Sequence, residues 1–467
     1  MKKWVFCIFV AFTFTNFLQA QDITGKWHGL LEIPGSPLRL VLNIQNSVDG
    51  YSSTLDSPDQ GAMGIPVDIT TFADGNLSIA VTVLGLTYTA ELKGNTFYGG
   101  FAQGGFNLPL EMSRKPIEKP TQKRPQEPIG PFAYYSESVS FKNLDAGIEL
   151  AGTLTLPDKT GKHPVAILIS GSGPHNRNAE IAGHKPFLLI ADFLTRNGIG
   201  VLRFDDRGVG ESKGDFKMAT SEDFASDVHS ALNFLTYKDG VDKDNIGLIG
   251  HSEGGVIAPM VAARNGKVSF IVLLAGTGLP GYDILEMQGE LIGKASGQSD
   301  VIVEQSAAIR RHLIEMALAS ENIPTLRTNM TAYLNQEFQN QGVKSLLPEG
   351  ANADQFIKGQ VDFMATPWMH YFLRHDPVKI LEMVNCPVLA INGENDLQVP
   401  PEENLSAIRD ALIRGGNSEV TIQVLSGLNH LFQESETGLP SAYGSIEQTF
   451  SPIALDVITE WISHQVK

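Results

Sequence analysis

The sequence predicts an α/β protein: a mostly parallel sheet with helices on both faces and a helical cap, preceded by a small all-β domain. Three observations carry this. Short apolar strands alternate with helical patterns from about Tyr134 onward. The alternation is interrupted by about a hundred residues of helical pattern, too many for a structureless loop. The stretch before Arg114 holds only strand-like runs separated by turn signals.

The chain starts with Lys2 and Lys3, an apolar run from Trp4 to about Leu18, and small Ala20 ahead of Gln21 and Asp22. This is the pattern of an export signal over residues 1–20, cleaved rather than kept as a membrane anchor, because the run is short and its downstream flank is not basic. The mature chain is therefore expected to be secreted or periplasmic, without a stable membrane anchor. Of the two cysteines, Cys7 lies inside the apolar run and Cys386 remains as a lone buried thiol, so no intrachain disulfide is expected.

Residues 21–114 read as an antiparallel sandwich or barrel. Leu38–Ile44 is one strand, and Leu77–Val83 and Leu86–Leu92 alternate with period two, with Trp27 and Phe97 as core. Residues 115–133 are rich in Pro and Lys and read as a linker. In 134–467 the strands are Val165–Ile169, Val201–Phe204, Ile246–Ile249, Phe270–Leu274, Pro387–Ile391 and Val420–Leu425, with Thr220 and Asp223 in capping-box spacing. The helical insertion runs from about 279 to 383. Trp368, Met369 and Phe372 within it are candidate pocket walls or, at helical spacing, cap core.

A net charge of −17 disfavours nucleic acid and strongly anionic polymers as partners. No metal-ligand spacing of finger or metalloprotease type is present, so no metal is expected. The chemistry lies in Gly250-His251-Ser252-Glu253-Gly254, a Gly-x-Ser-x-Gly pattern directly between a strand and a helix, where a strained turn exposes the hydroxyl. The same pattern recurs at Gly210-Glu211-Ser212-Lys213-Gly214, but Ser212 lies several residues beyond its strand and precedes a polar stretch. Ser252 is therefore the expected nucleophile.

Serine needs a base oriented by an acid, both downstream in this kind of fold. Asp396 follows the strand Pro387–Ile391, with Glu394 as its rival. His430 follows the next strand, with His464 as the other histidine after Asp396. The oxyanion is expected to be bound by the backbone N–H groups of Glu253 and Ser172, with Gly173 close behind, since Ser170-Gly171-Ser172-Gly173-Pro174 is a glycine-rich loop after an early strand.

Together with Asp206-Arg207-Gly208-Val209-Gly210-Glu211-Ser212 and Gly393-Glu394-Asn395-Asp396, these motifs resemble the bacterial α/β-hydrolase carboxylesterases near the prolyl-oligopeptidase and dienelactone-hydrolase branches. The resemblance runs from about Leu150 to the C-terminus and departs from the lipase type at Ser170. It implies an acyl-enzyme esterase without cofactor. The inserted cap, which should roof the site, and the absence of a long exposed apolar stretch point to short-chain acyl esters, of small molecules or glycans. The alternatives are a peptidase similar to prolyl oligopeptidases, for which the β-domain is too small to form a propeller, and a catalytically dead envelope- or glycan-binding protein.

Overall fold

The computed structural model describes residues 22–466 except 33–36, 49, 61, 104–105, 119–122, 345 and 348–352. The expected export signal lies outside the described residues. The chain divides into two compact units, Met1–Lys119 and Pro120–Lys467.

The first unit contains β1 (Gly25–Leu31), β2 (Leu38–Ser47), β3 (Gly50–Ser57), β4 (Ala62–Val67), β5 (Ile69–Ala73), β6 (Asn76–Val81), β7 (Leu86–Lys93), β8 (Thr96–Gln103) and β9 (Phe106–Ser113). They form one nine-stranded sheet in the order β4-β3-β2-β1-β9-β8-β7-β6-β5. Every pairing is antiparallel, and β4 leads directly into β5 at the opposite end of that order. The Ser53 and Thr70 hydroxyls meet at 2.7 Å across this seam, so the sheet curls into a barrel. The period-two alternation of β6 and β7 explains the curl: Leu77, Ile79, Val81, Leu86 and Tyr88 point inward, around Trp27 and Phe97. The Trp27 and Phe97 rings lie 4.3 Å apart, and the Trp27 indole donates to the Ile23 carbonyl.

The second unit is built on β10 (Tyr135–Asn143), β11 (Ile148–Leu156), β12 (His163–Ile169), β13 (Gly200–Phe204), β14 (Val241–His251), β15 (Val268–Leu274), β16 (Val388–Gly393) and β17 (Val420–Leu425). Their order is β10-β11-β13-β12-β14-β15-β16-β17. β10, β11 and β13 pair antiparallel, and the remaining pairs are parallel. This is the α/β-hydrolase arrangement expected from the sequence. β14 is longer than expected, because Val241 already pairs with His163 before a register shift. The polar run Asp242-Lys243-Asp244-Asn245 conceals that extension in the sequence.

The helices α1 (Pro186–Arg196), α2 (Ser221–Thr236), α3 (Gly254–Arg264), α11 (Pro401–Arg414) and α12 (Pro452–Gln465) cover the sheet, leaving an apolar core on each face. The start of α2 is fixed as its spacing predicts: Asp223 accepts from the Thr220 N–H at 2.9 Å and from its hydroxyl at 2.8 Å.

Between β15 and β16 stand α4 (Gly281–Ala295), α5 (Asp300–Ala319), α6 (Ile323–Glu337), α7 (Gln341–Lys344), α8 (Ala353–Met364), α9 (Pro367–Arg374) and α10 (Pro377–Leu381). They have an apolar core of their own around Leu313, Met330, Val361 and Met369. Part of the expected linker is bound to the second unit. Arg124 donates to the carbonyls of Ile446 at 2.5 Å and Gly444 at 2.8 Å, and Gln126 accepts from the Thr449 N–H at 2.6 Å. Arg124 and Gln126 thus belong to the second unit and satisfy backbone groups within it.

Candidate active site

The turn at Ser252 is built by its neighbours. β14 ends at His251 and α3 begins at Gly254, so only two residues connect them. Ser252 has φ of 54°, in the left-handed region that a residue with a Cβ occupies only under strain. A Cβ on Gly250 would overlap the Gly254 carbonyl, and one on Gly254 would overlap the Ile169 carbonyl. Both positions need glycine for the approach itself. The Ser252 N–H donates to the Leu274 carbonyl at 2.8 Å, which pins the turn to β15.

His430 and Asp396 form a buried pair. His430 Nδ1 lies 2.7 Å from Asp396 Oδ2, and the other oxygen of Asp396 accepts from the N–H groups of Gln398 and Val399. With Nδ1 donating to a carboxylate, Nε2 is left as the basic nitrogen. Glu394 instead braces a loop, accepting from the Ser426 hydroxyl and the Gly427 N–H. His464 lies in the last turn of α12.

A cavity of about 270 Å³ is lined by Ser252, His430, Ser172, Glu253 and Gly171 together with apolar side chains. Ile284, Leu285, Phe363, Trp368 and Phe372 of the helical insertion line it as well. Trp368 and Phe372 stack at 5.2 Å; Phe372 and Met369 both belong to the insertion's own core, and Met369 does not line the cavity. The loop after β12 passes closest at Gly171, where a Cβ would come within 3.1 Å of the Ser252 Cβ. Ser172 and Glu253, the two expected oxyanion donors, line the same cavity as Ser252, from two separate segments.

Ser212 has a different part. It is buried, its hydroxyl donates to the Asp205 carbonyl at 2.7 Å, and its oxygen accepts from the Ala151 N–H at 2.9 Å. It ties a loop to β11 and does not line the cavity.

Three groups escaped sequence reasoning. Asp206 holds the loop after β12, accepting from the Ser170 hydroxyl at 2.7 Å and the His175 N–H at 2.9 Å. Burial pushes its carboxyl up to about 7, with the neighbouring acids Glu253 and Asp227 adding to the effect. His251 Nε2 donates to the His430 carbonyl at 2.9 Å; burial first, then the nearby His430, lowers His251 to about 3, so it is neutral beside His430. The Glu253 side chain is buried and accepts from Ser221 and Trp368. Only Asp206 carried a signal, as an acid directly after a strand; the other two looked like variable positions of a motif.

A family model described as serine aminopeptidase, S33 (Hydrolase_4), matches residues 185–339, which include Ser252 but end before Asp396 and His430. Over 304 residues the chain is 27% identical to Esterase EstD of Thermotoga maritima, covering 65% of this chain and 63% of that protein. Over these residues the larger unit is similar to serine hydrolases. The chain spans less than two thirds of the length of that esterase. The chain is also 27% identical over 326 residues to an uncharacterized 31.7 kDa protein of Escherichia coli, covering 68% of this chain and 96% of that one. The solved structure of the Pyrococcus furiosus esterase Pf2001 aligns over 74% of this chain and 97% of its own, with 16% identity and a TM-score of 0.44.

Proposed function

We propose that the protein is a carboxylesterase that cleaves short-chain acyl esters through an acyl-Ser252 intermediate. The observation that carries this reading is the strained Ser252 turn sharing one small, largely apolar cavity with the buried His430–Asp396 pair. Ser252 Oγ attacks the ester carbonyl while His430 Nε2 takes its proton. Asp396 accepts from Nδ1 and steadies the imidazolium. The N–H groups of Glu253 and Ser172 receive the oxyanion. As the tetrahedral intermediate collapses, the C–O bond to the alcohol breaks and His430 returns the proton to the departing oxygen. Water then attacks the acyl-enzyme by the same route, releasing the acid and free Ser252.

Short acyl groups follow from the size of the cavity and from its helical cap. About 270 Å³ is just below the range of roughly 300–1,000 Å³ typical of sites for drug-sized ligands. The Esterase EstD match supports ester chemistry. The family description favours a second reading, a peptidase that removes N-terminal residues. A fluorophosphonate probe should label Ser252, and acetyl, butyryl and palmitoyl esters should be cleaved in falling order. Faster turnover of aminoacyl arylamides than of acetyl esters would select the peptidase. Lys2, Lys3 and the apolar run after them support action outside the cytoplasm. Sequencing of the natural product should then find it starting near Gln21.

A further inference from the structure

The Glu253 side chain is an unusual choice beside a nucleophile. It is only 3% exposed, and its partners are neutral donors. Oε1 accepts from the Ser221 hydroxyl at 2.6 Å and from the Trp368 indole N–H at 2.7 Å, and the Ser172 hydroxyl also bonds the carboxyl. Burial pushes the carboxyl's pKa up, and the three donors pull against that shift. A buried acid without a cation costs stability, so stability alone does not account for it. Its partners supply the reason. Ser221 opens α2, Ser172 is in the loop that faces the oxyanion, and Trp368 is in the α9 wall of the cavity. The same residue carries the N–H expected to bind the oxyanion, so three bonds on its side chain also restrain that peptide group.

We propose that Glu253 is a positioning residue that latches the Trp368 wall of the insertion to the oxyanion turn, so that acyl-group fit and transition-state stabilisation are set by one joint. This rests on the reading of Ser252 as the nucleophile. Trp368 presents its N–H edge to Glu253, and its ring face stacks on Phe372 along the cavity. A wall held in this way contacts the acyl group at the same joint that fixes the turn.

The test compares Glu253→Ala, Glu253→Gln, Trp368→Phe and the Glu253→Ala/Trp368→Phe double variant. Kinetic constants are measured on p-nitrophenyl acetate and butyrate, together with the phosphonate labelling rate. Glu253→Ala is expected to lower kcat by roughly 10–100-fold, and Glu253→Gln, which keeps an acceptor oxygen, to restore it to within about threefold of the parent. Trp368→Phe should raise KM for butyrate more than for acetate, and the double variant should be no worse than Glu253→Ala alone. The latch is overturned if Glu253→Ala keeps the parent kcat, or if the two substitutions multiply. Should Glu253→Ala fail to fold, Trp368→Phe decides: unchanged kcat and KM on both esters overturns the proposal. Trp368 emission, taken as the difference between parent and Trp368→Phe, must also shift in Glu253→Ala. That readout is independent of turnover, so a parent that neither labels nor hydrolyses refutes the Ser252 assignment and leaves the latch still testable.

Discussion

Ser252 and Ser212 satisfy the same five-residue pattern, yet the structure gives their hydroxyls opposite surroundings. Ser252 lines the cavity at a strained turn; Ser212 is buried with its hydroxyl oxygen engaged as donor and acceptor. Ser252→Ala should therefore lower turnover by on the order of a millionfold while melting like the parent. Ser212→Ala should keep most of its activity and lose about 1–3 kcal/mol of stability, because it leaves the Ala151 N–H without its buried partner. Activity and thermal melts on the same preparations separate the two effects. The reverse pattern would refute the assigned elbow. Much at this scale was legible in the sequence. The order of Ser252, Asp396 and His430 and their places after successive strands pointed to residues that the fold gathers: His430 bonds Asp396 and lines the same cavity as Ser252. Glu253 and His251 were not legible as side-chain partners, because their contacts come from residues 115 and 179 positions away. No local pattern encodes such a meeting.

At the scale of elements, the loop after β12 depends on a carboxyl whose proton affinity the fold raises. Asp206 is raised from 3.8 to about 7, so between those values the folded chain holds more protons than the unfolded one. Its contribution to stability is fully present below about 4 and is lost as pH rises through about 7. Asp206→Asn should flatten the fall of Tm with pH across that window. An unchanged slope in calorimetry would exclude Asp206 as the source. The elbow makes a sharper case: Gly250→Ala places a methyl group on the Gly254 carbonyl, with backbone on both sides and no flexible side chain to yield. It should abolish soluble, active protein, whereas Gly266→Ala, where a Cβ meets open space, should not. Periodicity revealed β2, β7 and β12 because their apolar residues either alternate or run unbroken. It missed the start of β14, where the polar residues from Asp242 to Asn245 carry no such signal.

The two units differ in how they are held together. The barrel closes on its own apolar interior around Trp27, Tyr88 and Phe97, which predicts that residues 22–118 fold alone as an all-β domain. The bonds of Arg124 and Gln126 make the cut point for the other unit matter. A chain starting at residue 123 should retain esterase activity and melting temperature. One starting at residue 134 should melt several degrees lower, at about 2–4 °C for each kcal/mol lost. Equal melting of the two would show that these bonds do not contribute. Composition could not show this, because an anchored polar segment and a solvated one contain the same residues.

The insertion between β15 and β16 has a further consequence, for the time course of folding. These two strands pair in parallel, Ile271 opposite Val388 and Leu274 opposite Ile391, with the helices α4 to α10 between them in the chain. Closing so long a loop costs little more at equilibrium than closing a short one, because the entropy grows only with the logarithm of its length. It weighs more on the rate, since distant contacts form after local ones. Asp396 and His430 both lie beyond that closure, while Ser252 lies before it. On dilution from denaturant, helical circular dichroism should return first and ester hydrolysis last, with an interval in which Ser252 lacks the His430–Asp396 pair beside it. Such an intermediate would contain most of the secondary structure and have no activity, and it would expose the apolar edge of β15 to other chains.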